Sequence, residues 1–172
     1  MSKARARLHF RNRVLTFLKP FGLILLLCTS AQSFSQSAPR PEALIKWRQS
    51  VFQVIAWNTA RVKSALASGD VKQVQIASAT LAAVAASDLV SLFPASTAQG
   101  KGWRETTARS EIFSNVDKFR ELSDDFARES AALARLANGA DQKSFDQKLL
   151  TEQFTKVAKT CKACHDKFRE TD

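Results

Sequence analysis

Near the C-terminus, Cys161 and Cys164 stand three positions apart and His165 follows directly. Two thiols at that spacing with an adjacent imidazole match attachment of a haem through both vinyl groups, with the histidine ligating the iron. On a helix, positions i, i+3 and i+4 share a face, so the three side chains can address one object. Other chemistries fit less well. A thioredoxin-like dithiol opens a helix after a strand, where the helix N-terminus lowers a thiol pKa, but here the motif follows a long helical pattern with no strand run. Structural zinc takes four ligands, and beyond residue 35 there is no further cysteine or histidine. The expected cofactor is one covalent haem c, held by Cys161 and Cys164, with His165 on the iron.

A second feature concerns the other side of that iron. Simple electron-transfer cytochromes hold it by His and Met or by two His. The only methionine is Met1, and the only histidine besides His165 is His9. Both fall in an N-terminal segment that reads as an export signal. Unless an amine intervenes, the iron is expected to be five-coordinate, high-spin and open on one face.

That segment spans residues 1–35. Lys3, Arg5, Arg7, Arg11, Arg13 and Lys19 form a basic stretch, Phe21 to Cys28 a short apolar core, and Thr29 to Ser37 a small polar run suited to cleavage. Leu27 stands where a lipoprotein signal has a small residue, so Cys28 is expected to leave with the signal. The apolar core is too short to span a bilayer. The mature chain, residues 36–172, is therefore expected to be exported and off the membrane, one domain around one core. Six of the 26 Lys and Arg lie in the signal, leaving 20 against 16 Asp and Glu. The basic balance belongs mostly to the signal, and nucleic-acid binding is not indicated.

Four helices are expected to position the site. From Pro41 to about Ala67, Ile45, Arg48, Phe52, Ile55, Thr59, Val62 and Leu66 recur at three and four. An arginine on that stripe is costly if buried unpaired. A haem propionate would answer Arg48 through two parallel hydrogen bonds, and snorkelling to solvent is the alternative. Phe52, one turn on, is either core filler or a bulky wall over the open iron face. In the second case small neutral gases that need no distal hydrogen-bond donor, nitric oxide and carbon monoxide, are the expected ligands. A second stripe of Trp47, Val51 and Val54, with Trp57 nearby, offers more apolar surface than one seam needs. It suggests a homodimer or a covering loop.

Ser68-Gly69 ends the first helix and Asp70 can cap the second, which is expected to run to Phe93-Pro94. The aperiodic stretch to about Arg109 is either a functional cover or a surface crossover. A third helix is expected from about Ser110 to Asn138, along Ile112, Val116, Phe119, Ser123, Phe126, Ser130, Leu133 and Ala137, with Gly139 at its C-cap. Ser144 and Gln147 form a possible capping box for the fourth, whose seam of Leu150, Phe154, Val157, Cys161, Cys164 and Phe168 carries both thiols. The fold expected is all-α, an antiparallel up-down-up-down four-helix bundle with haem attached covalently.

The assembled residues resemble the cytochrome c′ family over essentially the whole mature chain. The resemblance rests on Ile45-Lys46-Trp47-Arg48-Gln49-Ser50, Leu92-Phe93-Pro94 leading to Thr97, Thr107-Ala108-Arg109-Ser110-Glu111-Ile112-Phe113, and Cys161 to His165 followed by Arg169. It implies haem c at Cys161 and Cys164 with His165 proximal. It also implies propionate contacts from Arg48 and Gln49, distal aromatics at Phe52 and Phe93, and a further haem contact near Thr107. Arg169 matches a basic residue associated with nitric oxide binding beside the proximal ligand. Members are typically periplasmic homodimers paired through their first two helices. Ser110 and Phe113 replace a more usual proline and tryptophan, and Phe52 a more usual Leu or Met.

Two functions follow as expectations. One is capture or relay of nitric oxide without turnover. The other is electron transfer, with Lys156, Lys159, Lys162 and Lys167 facing an acidic redox partner protein; ordinary helix-surface solubility is the simpler account of those lysines. Peroxidase-like catalysis would need a distal acid–base histidine, so the protein is not expected to be an enzyme.

Overall fold

A computed structural model describes residues 38–141 and 143–170. The expected signal, with Met1, His9 and Cys28, lies outside the described residues. Helix α1 (Pro41–Ser68) starts on a proline, whose fixed φ suits a first helical position, and ends at Gly69 in the left-handed region at φ 70. Asp70 then accepts from the Gln73 amide at 3.0 Å and opens α2 (Val71–Ala85). That two-residue join turns the chain back on itself, as expected.

Helix α2 stops at Ala85, nine residues before Pro94. Asp88 takes φ 40, a left-handed conformation that no α-helix continues through, and the chain proceeds in single 3₁₀ turns at Leu89–Leu92 and Ala95–Thr97. The expected third helix is broken too. Asn115, at φ −127 and ψ 44, separates the one-turn α3 (Glu111–Ser114) from α4 (Val116–Asn138). The break turns Val116 outward, and it is 42% exposed instead of lying on the seam. At the far end of α4 Gly139 caps with an ordinary φ of −80, while Gln75 of α2 donates Nε2 to the carbonyls of Ala137 and Ala140. A side chain from a neighbouring helix thus satisfies the carbonyls that a left-handed glycine would otherwise serve.

The cap of α5 (Gln147–Phe168) falls two residues later than the capping box suggested. Asp146 accepts from the Leu149 amide at 2.9 Å, and the Ser144 hydroxyl bonds Asp141 instead. A carboxylate is the stronger acceptor for the positive end of a helix, so it takes the cap.

Packing pairs α1 with α2, α2 with α4, α4 with α5, and more sparsely α1 with α5. The result is an antiparallel four-helix bundle, with no strand among the described residues. Val62, Leu81, Leu133 and Val157, one from each long helix, are fully buried and form its centre. Each contributes roughly 1.5–3 kcal/mol by leaving water. Asn58, not its neighbour Thr59, is the fully buried position of that turn of α1, with its amide donating to the Val54 carbonyl. A second cluster, Val90, Ile112, Phe119, Leu122 and Phe168, fills the other end and adjoins Cys164. The loose contact between α1 and α5 is where the site opens.

Candidate haem site

A cavity of about 600 Å³ lies there, a size typical of cofactor pockets. Helix α5 supplies Cys161, Cys164 and His165 to its wall, α1 supplies Arg48, Gln49 and Phe52, and the connecting segment supplies Phe93 and Thr107. Arg169, the residue after α5, completes the set, so every residue the sequence assigned to the haem lines the same space. The two thiols are half-buried. Burial pushes Cys164 up to about 11, with the neighbouring Cys161 adding to it, and burial raises Cys161 as well. Both are protonated thiols at neutral pH. Burial, then the charge of Arg169, lowers the His165 pKa, favouring the neutral imidazole that ligates metals.

Arg48 is only 3% exposed. Its Nη1 donates to Thr97 Oγ1 at 2.8 Å, and its Nη2 to the Thr97 carbonyl at 3.0 Å and to Thr106 Oγ1. The guanidinium lies 4.8 Å from the Phe93 ring centroid. Burial brings its pKa down to about 10, which leaves it charged at neutral pH. None of the ion pairs among the described residues involves it. Lys63, Arg104 and Arg169 also reach the cavity, and among the described residues no Asp or Glu lines it.

Edge-to-face aromatic contacts join the walls. Phe52 meets Phe93 at 6.2 Å between centroids, Phe93 meets Phe119 at 4.8 Å, and Phe119 meets Phe168 at 5.7 Å. Each such pair adds roughly 0.5–1.5 kcal/mol beyond burial. Four elements are thereby fixed around one apolar slot. Sequence reasoning placed Phe119 and Phe168 on seams without assigning them to the site. It missed Thr97 and Thr106, whose role as partners of Arg48 arises only when the connecting segment folds back onto α1.

The donor set suits a haem on physical grounds. Two thiols and an imidazole converge on an apolar space, and a buried cation without a carboxylate partner awaits an anionic group such as a propionate. Fold and site together define a helical-bundle haem protein of the c type. The cytochrome c′ family profile matches residues 43–169, and the chain belongs to that family. Cytochrome c′ is itself a type example of the up-down-up-down bundle.

Among curated relatives, cytochrome c′ of Rhodocyclus tenuis is 40% identical over 135 residues, 77% of this chain and 98% of the relative. A solved cytochrome c′ described as having an unusual ligand-controlled dimer dissociation superposes with a TM-score of 0.71 at 26% identity, covering 78% of this chain and all of that one. The nitric oxide complex of a variant of cytochrome c′ from Alcaligenes xylosoxidans gives 0.64 at 25% identity, with the same coverages.

Proposed function

We propose that the mature protein is a periplasmic, high-spin haem c protein that binds nitric oxide and carbon monoxide, capturing or relaying nitric oxide without turnover. When bound, the haem would supply an iron able to take up a diatomic gas. Cys161 and Cys164 would hold the group covalently, and the neutral imidazole of His165 would ligate its iron. Arg48 would receive a propionate, and Thr107 lines the same cavity.

The observation that carries the reading is the makeup of the cavity wall. Among the described residues that line it, His165 is the only imidazole, there is no thioether, and the one lysine, Lys63, is exposed. Phe52 and Phe93 offer apolar surface and no hydrogen-bond donor, which suits neutral gases that need none. Arg169 sets a cation one turn beyond His165, consistent with a role in binding nitric oxide from that side. The nitric oxide complex of the Alcaligenes relative supports the choice of ligand.

The same reading includes a homodimer through α1 and α2. Trp47, Val54 and Trp57 on α1 are 51%, 41% and 61% exposed, and Ile76 on α2 is 45% exposed. A dimer would cover that face. The relative with ligand-controlled dimer dissociation supports it.

Electron transfer is the second reading. It rests on the exposed Lys156, Lys159, Lys162 and Lys167 of α5, although Lys162 is engaged by Asp166. Among the described residues no helix is long and apolar enough to cross a membrane.

Titration of the ferrous, exported protein with nitric oxide, followed by absorbance, tests the gas-binding reading. A saturable change in the haem bands is expected, and an unchanged spectrum refutes it. Recovery of the haem-loaded chain from the periplasmic fraction, with its N-terminus near residue 36, tests the location. Retention of the first 35 residues or a cytoplasmic product refutes that part.

A further inference from the structure

Gln49 lines the cavity, but its amide is already engaged elsewhere. Nε2 donates to the Arg104 carbonyl at 2.9 Å and, more weakly, to the Glu105 carbonyl at 3.5 Å. Oε1 accepts from the Trp103 amide at 2.7 Å. A propionate carboxylate accepts hydrogen bonds and donates none, and a carboxamide has only two hydrogens to give. The acceptors that Gln49 Nε2 meets are both loop carbonyls.

The loop so held is a tight hairpin. Lys101 and Glu105 bridge across it, and the Thr106 amide donates to the Gly100 carbonyl at 3.1 Å. Its tip lies directly on α1. A Cβ at Gly102 would stand 2.5 Å from Gln49 Oε1, 2.8 Å from the Lys46 amide nitrogen and 2.9 Å from Ile45 Cγ2, so only glycine fits. Gly100 takes φ +116, a conformation that side chains rarely adopt. Trp103 adds a hydrogen bond from its indole to Ser50 Oγ at 3.0 Å and lies under Lys46. The segment then crosses to α5, where Arg109 N donates to the Phe168 carbonyl and Glu170 N to the Thr107 carbonyl, both at 2.9 Å. A strap therefore ties α1 to the end of α5, and Thr106, the partner of Arg48, sits on it.

We propose that Gln49 is a positioning residue: it latches the 100–106 hairpin onto α1 and acts on the haem site through Thr106 and Arg48, not by touching the haem. The proposal rests on the haem reading for the identity of the group that Arg48 meets. The latch itself stands on the loop geometry alone. Gly102 is its other half, because the close approach it permits is what brings the Trp103 amide to Gln49 Oε1.

The test uses the haem-loaded protein. Lys101 lies in the hairpin, so trypsin cuts after it only when the loop opens, and the cutting rate tracks the open population. Gln49→Ala removes two good hydrogen bonds and one weak one, and is expected to raise cleavage after Lys101 about tenfold or more. Gly102→Ala is expected to do the same, and the double variant no more than either single change, since both break one latch. Both single variants should also shift the haem reduction potential in the same direction and to the same extent, through Arg48. A rise in cleavage below threefold for Gln49→Ala overturns the latch. A potential that moves with Gln49→Ala but not with a folded Gly102→Ala restores a direct contact between Gln49 and the haem. Cleavage that rises while the potential stays fixed overturns the action through Arg48. None of these readouts depends on gas binding, so a failed nitric oxide titration leaves the latch test intact.

Discussion

Replacing Phe52 by alanine tests the distal wall most sharply. The ring is half-buried and meets Phe93 edge-on at 6.2 Å and 71°. If Phe52 covers the open axial face, an incoming gas must push it aside. That displacement breaks the aromatic pair, at about 1 kcal/mol, and uncovers part of a phenyl side chain, at about another 1 kcal/mol. A barrier lowered by ~2 kcal/mol corresponds to roughly thirtyfold in rate. Carbon monoxide association with the ferrous protein, by stopped flow or after flash photolysis, should accelerate by about that factor in Phe52→Ala, with Phe52→Leu between the two. The truncation should cost only about 1–2 kcal/mol of stability, less than for a fully buried ring, so the variant remains folded and its far-ultraviolet circular dichroism unchanged. An association rate within threefold of the parent would place Phe52 away from the ligand path.

Trp57→Glu puts a carboxylate in the middle of the exposed face of α1, where Trp57 is 61% exposed beneath Arg61. Sedimentation should show the dimer weakened by about thirtyfold or more, the scale of a lost interface anchor; an unchanged association constant would move the interface elsewhere. The Ser130 hydroxyl is fully buried in α4 without a hydrogen-bond partner. Such a group costs about 1–3 kcal/mol, so Ser130→Ala is expected to raise the Tm, with a stabilisation of about 1 kcal/mol. A lower Tm would reveal a partner for that hydroxyl. If electron transfer is the working function, replacing Lys156, Lys159 and Lys167 by glutamine should slow exchange with an acidic partner and flatten its salt dependence. Rates indifferent to both changes would count against docking there.

What could be read from the sequence was local. The spacing of Cys161, Cys164 and His165 fixes their common face whatever the surroundings, and the seam of α5 places them in the bundle. Arg48 betrayed itself as a charge on an apolar stripe, and it is buried with a free charge at the cavity. The parts that escaped depend on competition or on chain reversal. Ser144 and Asp146 both offered caps to α5, and only acceptor strength decides between them. Asn115 and Asp88 broke helices whose apolar pattern ran on through them, because an amide or carboxylate side chain near the backbone tolerates conformations outside the helix. Thr97, Thr106 and the loop partners of Gln49 lie about fifty residues along the chain from Arg48 and Gln49, in an aperiodic stretch that carries no pattern to read.

The central claim is an iron held by His165 with nothing from the protein opposite it. The absorption spectrum of the purified, exported protein in ferric and ferrous forms, before any gas is added, tests it most directly. High-spin spectra in both states, converting on addition of carbon monoxide to the ferrous form, are the predicted result. Low-spin spectra that ignore carbon monoxide would mean that a side chain fills the sixth position, and would contradict the account.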